Sequence, residues 1–227
     1  MSGLNSFKFI AKDLLIDNNS SINKDNMNFL SIDFSTDIGS LFIKIENKTF
    51  SKFLQSDKSP NDLLMKQIMD FFKENNLSLD DISGIFINQG PGNFSGLRAS
   101  LAIAKGLSIS KNLKLFGYNS FIWRCANLLN KKDSIYSLIK FRNKYFIKKF
   151  NKKLIGDSKI IETSEDEIIM NYDNKFKVIA KNDTKYFDER ILKLNNLNLV
   201  DLKHKDLEFL KLKGLLDENL IKPLYLS

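Results

Sequence analysis

Residues 29–54, FLSIDFSTDIGSLFIKIENKTFSKFL, decide the fold. Phe29-Leu30-Ser31-Ile32-Asp33 is a short apolar run ending in an acid. Residues 34–39 turn the chain and close on Gly39, and Leu41-Phe42-Ile43-Lys44-Ile45 returns as a second strand. Glu46-Asn47-Lys48 reads as a hairpin turn and Thr49 to Leu54 as a third strand. Three short runs joined by tight turns make an antiparallel meander.

Downstream the period changes. Ser59-Pro60-Asn61-Asp62 has the residues of a helix start: a serine to cap, a proline for the first helical position and Asp62 to close a short capping box. The helix expected from it runs to about Asn75, with Leu64, Ile68, Phe71 and Phe72 on one face and Met65 and Met69 widening that face. Ile82 to Asn88 reads as a strand buried on both faces. A glycine-rich turn follows, then a helix from about Ser95 to Ser110, a strand from Leu113 to Tyr118 and a helix from Phe121 to Leu129. Strand, strand, strand, helix, strand, helix, strand, helix is the order of the ribonuclease-H/actin-like α/β unit, in which right-handed crossovers extend the meander with parallel strands.

Beyond Lys131 the composition shifts. Ser134 to Phe141 and Lys144 to Phe150 read as a hairpin turning at Arg142-Asn143, Lys175 to Ala180 as a strand, and Leu207 to Leu220 as a C-terminal helix. The expected organisation is two subdomains, the second reduced. Residues 1–26 form a flexible extension, 27–118 the first subdomain, 119–206 the second and smaller one, and 207–227 a helix and tail packing back on the first. The extension is polar from Asp17 to Asn26 and Met27 opens a strand directly, so a misassigned start codon is its simplest account.

Composition narrows the function. Hydrophobic residues at 43% and charged residues at 27% fit a soluble globular chain. Lysine is spread along the whole length, so the net charge of +8 reads as a solvated basic surface rather than a dedicated nucleic-acid stripe. The single cysteine, Cys125, excludes an internal disulfide and reads as a buried thiol. The single histidine, His204, excludes an HExxH zinc site within the chain and reads as a solvated imidazole between two lysines. No run approaches a membrane span, no signal peptide is evident, and a cytoplasmic location follows by default.

Two segments have residues suited to chemistry. In Gly90-Pro91-Gly92-Asn93-Phe94-Ser95-Gly96, glycines let backbone amides approach a ligand, the helix end favours an anion, and Ser95 can cap the helix. The competing reading is a tight strand-to-helix turn that binds nothing. In actin-like ATPases the first loop, here with Asp33, Ser35 and Thr36, approaches nucleotide phosphates, and Asp33 either holds a metal, as the acid there does, or caps its own turn. The helix after Gly96 is apolar nearly all round. Leu97, Leu101, Ala104 and Ser108 fall on one side, Ser95, Ala99, Ala102 and Gly106 on another, and only Arg98 and Lys105 make a charged stripe. One side must pack on the sheet, and the other needs a second apolar surface, either the preceding helix or another protein.

These residues resemble a known family. The run from Met27 to Ile43 is similar to the opening of TsaB (YeaZ) proteins, an apolar strand, an Asp-Thr-Ser-Thr pattern and a second strand. GPGNFSGLRASLAIAKGL, residues 90–107, resembles the family's hallmark, and Pro223-Leu224-Tyr225-Leu226 its usual ending. The resemblance implies an actin/Hsp70/sugar-kinase (ASKHA) fold with a degenerate nucleotide cleft. It also implies a non-catalytic, dimerising and activating subunit that needs no cofactor of its own. Such a subunit works beside a TsaD-like catalytic paralogue and a TsaE-like ATPase, with ATP or ADP in the assembled complex. Together they place threonylcarbamoyl on N6 of adenosine 37 in tRNAs that read codons beginning with A. The tRNA is reached indirectly through the complex, a homodimer is the other assembly open to the chain, and no membrane is involved. The resemblance makes Leu64, Ile68, Leu97, Arg98, Leu101, Ala104 and Lys105 the partner interface. It makes Asp33, Ser35, Thr36, Gly90, Gly92, Asn93 and Ser95 the candidate phosphate contacts.

The chain departs from the family pattern in three places. Asp33-Phe34 replaces Asp-Thr, the helix start at Ser59 lacks a histidine, and Lys140-Phe141-Arg142 stands where an Asp-Ala-Arg element is usual, leaving Arg142 as its match. The rival reading is an actin-like ATPase or small-molecule kinase, and the absence of a second recognisable phosphate loop argues against it.

Overall fold

The computed structural model describes residues 27–55, 60–151 and 158–226. The expected extension over 1–26 and the serine cap at Ser59 lie outside these residues.

The first half begins with β1 (Phe29–Asp33), β2 (Ile38–Ile45) and β3 (Lys48–Gln55), followed by α1 (Pro60–Glu74), β4 (Gly84–Asn88), α2 (Phe94–Lys111) and β5 (Lys114–Tyr118). β2 runs antiparallel to β1 and β3, while β4 pairs parallel with β1 and β5 parallel with β4, giving the order β3-β2-β1-β4-β5. α3 (Ser120–Cys125) leads into the second half: β6 (Ser134–Phe141), β7 (Lys144–Asn151), β8 (Ile161–Thr163), α4 (Glu165–Tyr172), β9 (Lys177–Ala180), α5 (Glu189–Leu192), β10 (Leu197–Val200) and α6 (Asp206–Leu212). Its order is β10-β9-β6-β7-β8, and renumbering from β6 shows the arrangement of the first sheet again. The chain is therefore a ribonuclease-H/actin-like fold made twice.

The second half is not reduced in topology. Among the described residues it has all five strands, and what is reduced is length, with β8 three residues and β9 and β10 four each. The C-terminal helix is also shorter than the expected Leu207–Leu220. It stops at Leu212, and Gly214 follows at φ +65°, a conformation that ends helices. Beyond it the chain is extended, and Asp217 pairs with Gly117 on the outer edge of β5.

Burial explains the layering. On β1 the alternate residues Leu30 and Ile32 face an outer core with Leu64, Ile68, Phe71 and Phe72 of α1 and Leu101, Ala104 and Leu107 of α2. Each of these large aliphatic side chains, taken fully out of water, stabilises the fold by about 2 kcal/mol. Phe29 of β1 faces the other way, into a central core shared by the two sheets, with α3, Leu207 and Leu210. A third core lies beneath α4 and α5, around Ile168, Ile179 and Ile191.

His204 overturns the expectation of a solvated imidazole. Just before α6, its ring stacks on Phe42 at 5.5 Å and tilts against Trp123 at 5.0 Å, entering the central core. Nδ1 lies 2.8 Å from Ser31 Oγ and Nε2 3.0 Å from Ser40 Oγ, so hydroxyls on β1 and β2 satisfy both nitrogens. Burial pulls the imidazole from its usual 6.5 down to about 3. Cys125 is fully buried, and desolvation pushes its thiol up.

Candidate functional site

The site grows from the C-terminal ends of β1 and β4, adjacent parallel strands. Asp33 ends β1 and is buried. Its Oδ1 accepts from the Ser35 amide at 2.9 Å and from Asn88 Nδ2 at 2.9 Å. Burial raises the carboxyl above its ordinary range, while the Ser35 and Asn88 hydrogen bonds and the charge of Arg124 pull it back. Asn88 ends β4, is fully buried, and connects the site. Its Nδ2 also lies 3.2 Å from Ser35 Oγ and 3.1 Å from Ser120 Oγ, and its Oδ1 accepts from the Gly90 amide at 2.8 Å. Only a side-chain amide supplies donors and an acceptor from one planar group at this point.

The glycine-rich turn packs onto the first loop. The Asn93 amide donates to the Ser35 carbonyl at 2.7 Å, and a Cβ placed on Gly92 would collide with that same carbonyl. A Cβ on Gly96 would press on the Phe34 carbonyl, and Gly90 sits at φ +99°. The helix cap is Asn93, not Ser95 as expected. Asn93 Oδ1 accepts from the Gly96 amide at 3.1 Å, and Ser95 Oγ donates to that oxygen at 3.0 Å from an exposed position. The amides of Gly90, Asn93 and Gly96 are thus engaged within the chain.

Of the candidate phosphate contacts, the structure gathers Asp33, Ser35, Gly90, Gly92 and Asn93 into one knot. Thr36 lies at its rim with Oγ1 on the Ile38 carbonyl at 2.9 Å, and Ser95 faces outward. Beside the knot, between the two halves, opens a cleft of about 360 Å³. Ser35, Thr36, Asn93 and Ser120 line one wall, and Lys140 and Arg142 of the β6–β7 hairpin and Asp183 line the other. Arg124 of α3 spans the floor. Its guanidinium donates to the Ser120 carbonyl and to Asp183, while its Nε has no partner among the described residues. Lys140 is tied to Asp188 at 2.6 Å, which holds Asp188 below the usual carboxylate range. Asn88, Ser120, Arg124 and Asp183 escaped the sequence reading. None sits in a recognisable pattern, and Asn88 differs from an ordinary strand residue only in being polar within a buried run.

The interface expectation needs a correction. Leu64, Ile68, Leu101 and Ala104 are each 0–3% exposed and belong to the chain's own outer core, and Leu97 is fully buried as well. The second apolar surface that α2 needed on that side is α1 and the sheet. Arg98 and Lys105 do face outward, beside Ser95, Ala102, Gly106 and Ile109. On α1 the open positions include Leu63, Met65 and Met69.

The tail completes the site. The Leu224 amide donates to the Gln89 carbonyl at 2.7 Å and Gln89 Nε2 to the Lys222 carbonyl at 3.0 Å, so the Pro-Leu-Tyr-Leu ending braces the glycine turn.

Among the described residues no helix is long and apolar enough to cross a membrane. The family model for TsaD, tRNA N6-adenosine threonylcarbamoyltransferase, matches residues 56–144. The chain is 32% identical over 84 residues to the tRNA threonylcarbamoyladenosine biosynthesis protein TsaB of Buchnera aphidicola subsp. Baizongia pistaciae, covering 37% of this chain and 38% of that one. It is 25% identical over 96 residues to the TsaB of Escherichia coli K12, covering 42% of each. The alignments thus span about two fifths of these relatives' length. Among solved structures, YeaZ from Pseudomonas aeruginosa superposes with a TM-score of 0.63 at 16% identity, over 88% of this chain and all of that one. A second Pseudomonas aeruginosa structure, of a protein with similarity to peptidase YEAZ, gives 0.63 at 17% with the same coverage. Part of the sequence is thus similar to TsaB proteins, and the fold is that of the YeaZ structures.

Proposed function

We propose that this chain is a non-catalytic, dimerising and activating subunit of the machinery that installs threonylcarbamoyl on N6 of adenosine 37 in tRNAs reading codons that begin with A. The observation that carries the reading is the relatives' common name, since the matched proteins are tRNA threonylcarbamoyladenosine biosynthesis proteins. The geometry supports an accessory role. The glycine turn spends the Gly90, Asn93 and Gly96 amides on its own chain, and the Ser35 backbone fills the space before Gly92. The catalytic partner is a TsaD-like paralogue, and the match of residues 56–144 to the TsaD family fits two related folds pairing through like elements. The pairing surface is the open face of α1 and α2, with Leu63, Met65, Met69, Ala102, Lys105, Gly106 and Ile109. This subunit requires no cofactor of its own. ATP or ADP enters with a TsaE-like ATPase in the assembled complex, which works in the cytoplasm.

Mixed with a TsaD-like protein, the chain is expected to elute as a heterodimer on size exclusion and to raise threonylcarbamoyl transfer above that of the partner alone. Two separate monomers with no gain in transfer would sink the reading. The cleft favours one rival, an actin-like ATPase or kinase, because Lys140 and Arg142 face it. ATP turnover by the isolated chain would establish that rival instead.

A further inference from the structure

Beside the cleft lies a smaller hollow of about 210 Å³ between the glycine turn, the tip of the β6–β7 hairpin and the C-terminal tail. Leu224 accounts for the bracing of the turn. The next residue, Tyr225, turns outward with its ring 5.2 Å from that of Phe94. The two keep 53% and 47% of their surface exposed, unlike the core rings Phe86 and Phe121 at 0%. Arg98, one helical turn beyond Phe94, holds its guanidinium carbon 5.1 Å from the centre of that ring. On the hairpin, Arg142 repeats the arrangement over Phe141 at 5.3 Å.

Phe94 and Tyr225 stand outside the three apolar cores, whereas Phe141 packs partly against the central one. Among the described residues neither Arg98 nor Arg142 is in an ion pair, whereas Arg124 and Arg190 both are. Among the described residues no carboxylate side chain lines the hollow, while the neighbouring cleft has Asp37 and Asp183. The surface offers flat apolar faces and unneutralised guanidinium groups. Its complement is a flat aromatic group attached to an anion, and an unpaired nucleotide is that combination: the base stacks on ring or guanidinium planes while the phosphate meets the charge. A paired duplex hides its base faces and presents phosphates, 2′-hydroxyls and base edges instead.

We propose that Phe94, Phe141 and Tyr225, flanked by Arg98 and Arg142, form a stacking platform for an unpaired nucleotide of an RNA strand, so that this subunit touches the RNA directly. The proposal rests on the reading of the chain as part of a tRNA-modifying machine.

The test is fluorescence anisotropy of the full chain with a labelled RNA hairpin with an unpaired loop, and with a fully paired duplex of similar length, across a salt series. The wild type binds the hairpin more tightly than the duplex. Tyr225→Ala and Phe94→Ala each weaken hairpin binding on the order of tenfold. Tyr225→Phe, which keeps the ring, binds like the wild type and controls for folding. Arg98→Gln and Arg142→Gln each lower the slope of log affinity against log salt by about one. Equal binding of hairpin and duplex, absence of hairpin binding, or variants that bind RNA like the wild type would overturn the platform. Co-elution with the TsaD-like protein is measured on the same variants. Loss of that partner with unchanged RNA binding makes the patch a protein interface and also overturns the proposal. Failure of the wild type to pair with that protein refutes the functional reading instead.

Discussion

Asn88 has one side chain serving four neighbours. Asn88→Leu keeps the approximate volume but leaves the Asp33 carboxylate, the Gly90 amide and the Ser120 hydroxyl short of partners in a buried place. Stranding such groups costs about 1–3 kcal/mol apiece, so a total loss of at least about 3 kcal/mol is expected in urea unfolding. A loss under about 1 kcal/mol would mean that water takes over the vacated bonds. His204 gives a prediction of a different kind. The folded state binds its proton more weakly than the unfolded chain, so its contribution is intact above pH 6.5 and fades as pH falls toward 3. By about pH 5 the loss amounts to about 2 kcal/mol. Asp33 and Asp206, whose carboxyls burial raises, act in the opposite sense, because the folded state binds their protons more tightly. The comparison is therefore between the wild type and His204→Gln at about pH 7 and about pH 5. The variant's stability deficit shrinks by that amount on acidification, and an unchanged deficit refutes the argument.

At the scale of elements, α2 separates glycines that the fold needs from one that it does not. Gly92→Ala drives a methyl group into the Ser35 carbonyl and is expected to cost about 1–3 kcal/mol. Gly106 has open space where a Cβ would go, and its backbone is ordinary helix. Gly106→Ala is expected to stabilise the isolated chain by about 0.5–1 kcal/mol, read as a higher melting temperature. Gly106→Phe leaves the isolated chain folded but blocks close approach of a partner, so weakened co-elution with the TsaD-like protein is the expected result. Legibility also divides by element. The β6–β7 hairpin was readable to within a residue because Arg142-Asn143 is a turn pair, and both residues adopt positive φ. α4 was missed although Ser164 and Glu167 form a capping box, since eight residues leave too little apolar period to notice. The interface face was misread because a helix apolar all round gives no sequence signal for which side the sheet takes.

For the whole molecule, the repeated topology was half legible. The first sheet follows from its strand runs and crossovers. In the second, β9 was read as Lys175 to Ala180, but β8 and β10, three and four residues long, are too short for any periodicity to announce. What joins the halves was not legible at all, because it is a chain of contacts between residues far apart in sequence. From Asp33 the hydrogen bonds run through Asn88 and Ser120 to Arg124 on the connecting helix, then to Asp183 beyond β9. The Arg124–Asp183 pair is largely removed from water, with side-chain exposures of 6% and 14%. Removing one partner of such a pair costs about 3–5 kcal/mol because the other charge is left buried, whereas replacing both by apolar groups is often close to neutral. Arg124→Leu is therefore expected to lower stability by about 3 kcal/mol, and Arg124→Leu with Asp183→Leu to recover most of that loss. Asp183 belongs to the second half and Arg124 to the connection, so the single variant also loosens the hinge. Small-angle scattering should show a larger radius of gyration for it than for the double variant. Equal destabilisation of single and double variants would assign the cost to lost packing rather than to an unpaired charge between the halves.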